Sequence, residues 1–271
     1  MRQAISIVIF FGTLNLISNM ANADEKVLSI ASSNDPCSGQ NALLAILDRP
    51  TIQDSACVVK PHDVVVEMGY QYTSLRDGGY GYNLPETAIR FGLPGNSELV
   101  LIAPNFFHQN SSGFSATNVG IKHEIAYTNK WILTTEALFT LPSGSSEYGS
   151  SGLGSAINAI VEFELTSTIA FTAMLGISSQ TLPSSLDGQR FTSINPDLVL
   201  SWQPKPTLQF FGEIYGQTKT APSQGPGYNI DGGIQYLLTP YFEVDAEEGV
   251  RLSGNLGGFN NYFGVGFGLI F

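Results

Sequence analysis

The sequence predicts an all-β fold: a transmembrane, antiparallel, up-and-down β-barrel of about twelve strands, with a short disulfide-linked N-terminal segment before it. Three observations predict this. The chain ends in Tyr262-Phe-Gly-Val-Gly-Phe-Gly-Leu-Ile-Phe271, where Phe263, Val265, Phe267, Leu269 and Phe271 share one face of an extended strand. Tyr262, Gly264, Gly266, Gly268 and Ile270 take the other face, as the two-residue period of a strand requires. From Val64 onward the chain divides into period-two segments of about ten residues, the length that a tilted membrane strand needs. Composition agrees: 11% aromatic, 29 Gly and only 13% charged residues are unusual for a soluble enzyme of this size.

Residues 1–23 have the form of a secretory signal, with Arg2 as the positive start, an apolar run from Ala4 to Ile17, and Ala21-Asn22-Ala23 as the cleavage site. The run is short of the roughly 20 residues of a membrane-spanning helix, and no long apolar run follows it. Residues 24–63 form an N-terminal periplasmic segment, too polar for a series of strands. Within it, Ala42 to Leu47 reads as one short helical piece stopped by Pro50. Cys37 and Cys57 are the two cysteines of the chain, and in an exported protein they are expected to pair. Closing that loop stabilises by roughly 3 kcal/mol in the chain-entropy view. Two readings of the segment stay open: a plug inserted into the barrel, or a strap on its periplasmic side.

The barrel occupies residues 64–271. Strands are expected at 64–74, 87–93, 98–105, 119–127, 131–141, 155–165, 169–178, 191–202, 207–218, 228–238, 241–252 and 262–271. Loops at 75–83, 106–118, 142–154, 179–190, 219–227 and 253–261 are long, and the connections between them are short turns. That alternation is the asymmetry of a barrel with periplasmic turns and extracellular loops. Tyr127, Trp131, Trp202, Tyr241 and Phe242 flank the short turns, where an interfacial girdle of aromatics belongs.

The inward phase of these strands collects Glu67, Arg90, Lys122, Glu124, Glu136, Glu162 and Glu164 on the first seven. On the later strands it collects Asp197, Glu213, Asp231, Glu243, Asp245, Glu247 and Arg251. Acids dominate, so the lumen favours cations or polar solutes if it is hydrated. If the charges pair instead, they fill a narrow interior, with Arg90, Lys122 and Arg251 as counter-charges.

The formal net charge of -11 argues against nucleic acid as a partner. No His, Cys and carboxylate spacing marks a metal site, and no cofactor motif is present. His108 with Ser111 or Ser112 is the one arrangement from which a lipolytic site could begin, and it has no flanking lipase motif.

Four stretches carry a family resemblance: Thr140-Leu-Pro-Ser-Gly-Ser145, Asn195-Pro-Asp-Leu-Val-Leu-Ser-Trp202, Asp231-Gly-Gly-Ile-Gln-Tyr-Leu-Leu-Thr-Pro240 and the closing strand. From about Asp48 to Phe271 the chain resembles the bacterial outer-membrane proteins associated with the MetA pathway of phenol degradation. The resemblance implies an outer-membrane transporter of a Gram-negative bacterium and a link to aromatic compounds.

The expectation is a non-enzymatic channel for small solutes, with outer-membrane lipid as its surroundings. The barrel-assembly machinery is the expected partner of the strand ending at Phe271. The alternatives are a closed barrel with a structural or surface role and, last, a rim lipase.

Overall fold

The computed structural model describes residues 36–38 and 42–271; the signal sequence expected at 1–23 lies outside the described residues. The strands are β1 (Val64–Leu75), β2 (Tyr80–Leu84), β3 (Ala88–Leu93), β4 (Ser97–Ile102), β5 (Phe106–His108), β6 (Ser112–Phe114), β7 (Asn118–Tyr127) and β8 (Trp131–Thr140). They continue as β9 (Gly154–Thr166), β10 (Ile169–Thr181), β11 (Arg190–Lys205), β12 (Leu208–Gln217), β13 (Gly227–Thr239), β14 (Phe242–Ser253) and β15 (Phe259–Ile270). All pairings are antiparallel, and β15 returns to pair with β1, from Val65↔Ile270 through Tyr72↔Phe263, so the sheet closes. Closure leaves no edge along the long strands, as a structure in lipid requires; the three-residue β6 pairs with β5 alone.

Fifteen segments make a twelve-strand barrel because three strands are interrupted at one level. β2 and β3 both pair with β1; β4 and β5 pair with β3 and β2 in turn; β6 and β7 pair with β5 and β4. Pro85 and Pro104 stand in two of the gaps, and proline has no N–H to give a ladder. Asn105 ties the level together. Its side-chain oxygen accepts from the Glu86 amide at 3.1 Å, and its own amide donates to Ser115 Oγ at 2.8 Å.

The first two long loops differ from expectation. Residues within 75–83 and 106–118 continue the strands as β2, β5 and β6, and those connections shrink to short hairpins. Aromatic pairs hold the extensions: Tyr72 stacks on Tyr80, Tyr82 on His108, and Phe106 meets Phe114 edge-on. Cross-strand pairs of this kind stabilise a sheet where no core lies beneath it. The long connections between β8 and β9, β10 and β11, and β12 and β13 fall where they were expected.

Outside, the barrel is apolar. Ile121, Ile157, Leu175, Leu198, Ile214 and Phe263 are all exposed, while their sequence neighbours on the other phase turn inward. A belt of this size belongs in hydrocarbon.

Inside lies a second hydrophobic cluster. Helix α1 (Ala42–Ile46) and the chain after it bring Leu43, Leu44, Ile46, Leu47, Cys57 and Val59 against the inward side chains Val65, Ile132, Ile160 and Leu237. Cys37 and Cys57 are bonded, 5.5 Å apart at Cα, and cross-link the segment to itself. The glycines of β15 make room. A Cβ at Gly268 would collide with the Leu47 side chain, and one at Gly266 with the Arg49 guanidinium.

Phe271 closes the seam at the last position: its amide donates to Val64 O at 2.9 Å, and its carbonyl accepts from the Val64 amide at 3.2 Å. Its ring is exposed. Phe271→Ala keeps both backbone bonds and loses only the ring, whereas deletion of Phe271 loses both. The fraction of heat-modifiable barrel formed in lipid vesicles is therefore expected to fall further for the deletion than for Phe271→Ala. Equal yields for the two variants would show that the closing bonds contribute nothing.

Candidate functional site: the barrel interior

Backbone inside a barrel must find partners there, because little water reaches it. The wall supplies them as carboxylates, one guanidinium, a hydroxyl and a side-chain amide. Glu67 accepts from the amides of Asp48 and Arg49, at 3.3 and 2.7 Å. Glu98 accepts from the Val59 amide at 2.6 Å, and Glu213 accepts from the amides of Ile52 and Gln53 at 3.0 and 2.8 Å. The carbonyls of Ile46 and Cys57 accept from Arg90, that of Ala56 from Thr134, and that of Arg49 from Gln235.

The charges form two clusters. Arg90 pairs with Glu98 at 2.7 Å and with Glu67 and Asp48 at 3.2 Å each, and Lys122 reaches Asp48 at 2.9 Å and Glu98 at 3.5 Å. Arg49 bridges Glu86 at 2.6 Å and Asp245 at 3.2 Å. Burial works against a charged Asp48, but Arg90 and Lys122 outweigh it and hold that carboxyl below its ordinary range. Asp54 has the opposite balance: burial, then Glu136 and Asp48, push its carboxyl well above the ordinary range.

Of the side chains assigned to the inward phase, Glu67, Arg90, Lys122, Glu124, Glu136, Asp197, Glu213, Asp231, Glu243, Asp245 and Glu247 are buried inside the barrel. Glu162 and Arg251 are half-buried, and Glu164 is exposed near the short turn after β9. Arg251 does not act as the counter-charge expected of it; it donates to the Gly254 carbonyl at 3.2 Å, and Arg49 of the N-terminal segment takes the third basic position.

The sequence reading missed Arg49, Asp48 and Asp54 because nothing local ties residues before the first strand to the interior. It missed Glu98 because Leu99 to Ala103 is apolar on both faces and leaves the phase undefined. The Arg90 partner, on the adjacent strand β3 and on its inward face, was the signal that could have found it.

His108 and Ser112 do come together, Nδ1 to Oγ at 2.7 Å, on the exposed hairpin of β5 and β6. The imidazole stacks on Tyr82, and neither residue borders the interior.

Two cavities lie within the barrel. One, of about 320 Å3, borders the short-turn end, between Leu47, Arg49 and Thr51 of the segment and Glu162, Glu164 and Gln209 of the wall. The other, of about 370 Å3, borders the long-loop end and is lined by Ile52, Asp54, Asp197, Tyr215 and Asn229 among others. The chain from Thr51 to Asp54 stands between them, and Asp54 borders both.

The family model described as "Putative MetA-pathway of phenol degradation" matches residues 47–257, well over half of the chain. The chain belongs to this family. No curated protein matches it. Among solved structures it is similar to the COG4313 outer membrane channel from Pseudomonas putida F1, at 11% identity and a TM-score of 0.63, over 82% of this chain and 100% of that one. It is also similar to the NanC porin (15% identity, TM-score 0.51) and the KdgM porin (9%, 0.53), each over 76% of this chain and 98% of the other. At these identities the likeness is one of fold: a closed barrel of the porin kind.

The buried charges predict how the interior fails. Arg90→Ala removes the cation shared by Glu67, Glu98 and Asp48 and frees two carbonyls, a loss of about 3–5 kcal/mol for a buried ion pair broken on one side. Thermal unfolding in detergent micelles should shift clearly downward for Arg90→Ala and less for Arg90→Lys, which keeps the charge but not the fork. A melting temperature unchanged in both variants would mean that the segment is held by apolar packing alone.

Proposed function

We propose that this member of the phenol-degradation family is an outer-membrane channel, without catalytic activity, through which small solutes pass, and that residues 42–63 are its plug. The observation that carries this reading is the pair of cavities on either side of Thr51 to Asp54, inside a barrel closed to lipid. The two spaces are separated by a few residues of backbone rather than by packed core. Glu213 holds that backbone in place through the two amides it accepts. Glu162, Glu164 and Asp197 border the route, and its one base, Arg49, is already paired with Glu86 and Asp245, so cations are favoured over anions along it.

The test is conductance of the refolded mature chain in planar bilayers. Glu213→Ala removes both acceptors and should raise single-channel conductance severalfold, with a reversal potential that stays on the cation-selective side in a salt gradient. Glu213→Gln, which keeps one carbonyl acceptor, should fall between. A folded barrel that is silent in all three forms would favour the closed, structural reading.

An apolar depression supports a second route for aromatic solutes. It measures about 360 Å3 and is lined by Leu133, Ala159, Val161, Ala173, Leu175 and Leu198 on the outer wall. Its small residues sit among large ones, and Pro196, opposite Leu175, leaves β11 without one N–H. Met174, Pro196 and Asp197 border both this depression and the upper cavity. Filling it with Ala173→Trp should slow phenol entry into proteoliposomes while leaving ionic conductance unchanged. Phenol entry at the parent rate would remove the outer wall from the route.

A further inference from the structure

The cavity at the long-loop end has the chemistry of a binding site rather than of a simple water-filled passage. Its volume of about 370 Å3 lies within the range of small-molecule pockets. Among the described residues neither Lys, Arg nor His lines it, whereas Asp54 and Asp197 do. Register places Asp197 opposite Tyr215, and Tyr215 opposite Asn229. The three residues therefore form one row across three strands, spanning about 10 Å at the usual strand spacing.

Hydrogen-bonding capacity in this row is left over. Asn229, fully buried, stands beside the Tyr215 side chain and closes the row. Asp197, 2% exposed, has one unbonded carboxylate oxygen. Asn195 donates to Ser178 Oγ at 3.1 Å and keeps its oxygen free. The unused oxygens of Asp197 and Asn195 are both acceptors. Buried polar groups are normally satisfied, so this set is complementary to a molecule rich in donors.

A carboxylate with no basic side chain around the cavity adds a preference for positive charge. Among the described residues no three His, Cys, Asp or Glu side chains converge as metal ligands do. Met174, Leu256 and Phe259 give the same cavity an apolar side.

We propose that this cavity binds a small organic ammonium ion, its –NH3+ group received by Asp197 and Asn195, two residues apart on β11, and its apolar body set against Met174 and Phe259. Two of its N–H donors match the free oxygens of Asp197 and Asn195, and the solute's charge answers that of Asp197. The inference rests on the channel reading for its biological sense, but binding is measurable whether or not the barrel conducts.

The experiment is calorimetric titration of the refolded mature protein in detergent micelles with benzylammonium chloride, benzyl alcohol, benzoate and sorbitol as probes. Benzylammonium should bind at least tenfold more tightly than each of the others. Asp197→Asn, nearly isosteric, should weaken benzylammonium about tenfold and leave benzyl alcohol unchanged. Asn229→Asp, which adds a second carboxylate to the row, should tighten it severalfold, and heat-modifiable mobility reports the folding of both variants.

Equal binding of benzylammonium and benzyl alcohol, tighter binding of sorbitol, or indifference to both substitutions would overturn the proposal. Binding as expected in a barrel that passes no current would uphold the site and sink the channel instead.

Discussion

The structure depends on one guanidinium. Arg90 lies on an inward strand position, fully buried, and touches both the wall and the segment inside it: Glu67 and Glu98 on one side, Asp48 and the carbonyls of Ile46 and Cys57 on the other. Its rigid fork of donors serves five partners at once, which a lysine could not do. Without it, three carboxylates would share a space with little water, and the mutual attraction that holds the segment would become repulsion. The disulfide and α1 shape the segment; the Arg90 cluster fixes where it sits.

The interior is divided as a consequence. From β14 across the β15–β1 seam to β7, acids and bases pair, and Lys122 and Arg49 extend the pairing that Arg90 begins. On the β9 to β13 side, acids and amides face the two cavities, and among the described residues the one base that lines either is the paired Arg49. One half therefore serves as the seat of the segment. The other keeps polar capacity that the protein itself does not use, and both the channel reading and the ammonium site draw on that half.

Much of the fold was legible in the chain. Twelve period-two stretches, a closing strand with an apolar face, and the alternation of long and short connections are local patterns. The strand boundaries mostly fell within a few residues of those observed. The misses have a common physical origin. Residues 75–83 and 106–118 look like loops because they are rich in Gly, Ser and Asn, but Tyr72–Tyr80 and Phe106–Phe114 contacts form only once neighbouring strands are in register. The glycine stripe of β15 was visible as an inward face, but what it makes room for, Leu47 and Arg49, comes from more than two hundred residues earlier.

The sequence by itself determined that this protein is a membrane barrel, which side chains alternate inward, and that its two cysteines were candidates to pair. These follow from strand period, strand length and composition, which act over a few residues. Only the tertiary structure decided that the N-terminal segment lies within the barrel, that Arg49 rather than Arg251 completes the charge pairing, and which acids stay without a partner. Those outcomes depend on distances between groups far apart in the chain. Inside a poorly hydrated barrel a few ångströms separate a satisfied ion pair from a carboxylate free to receive a solute.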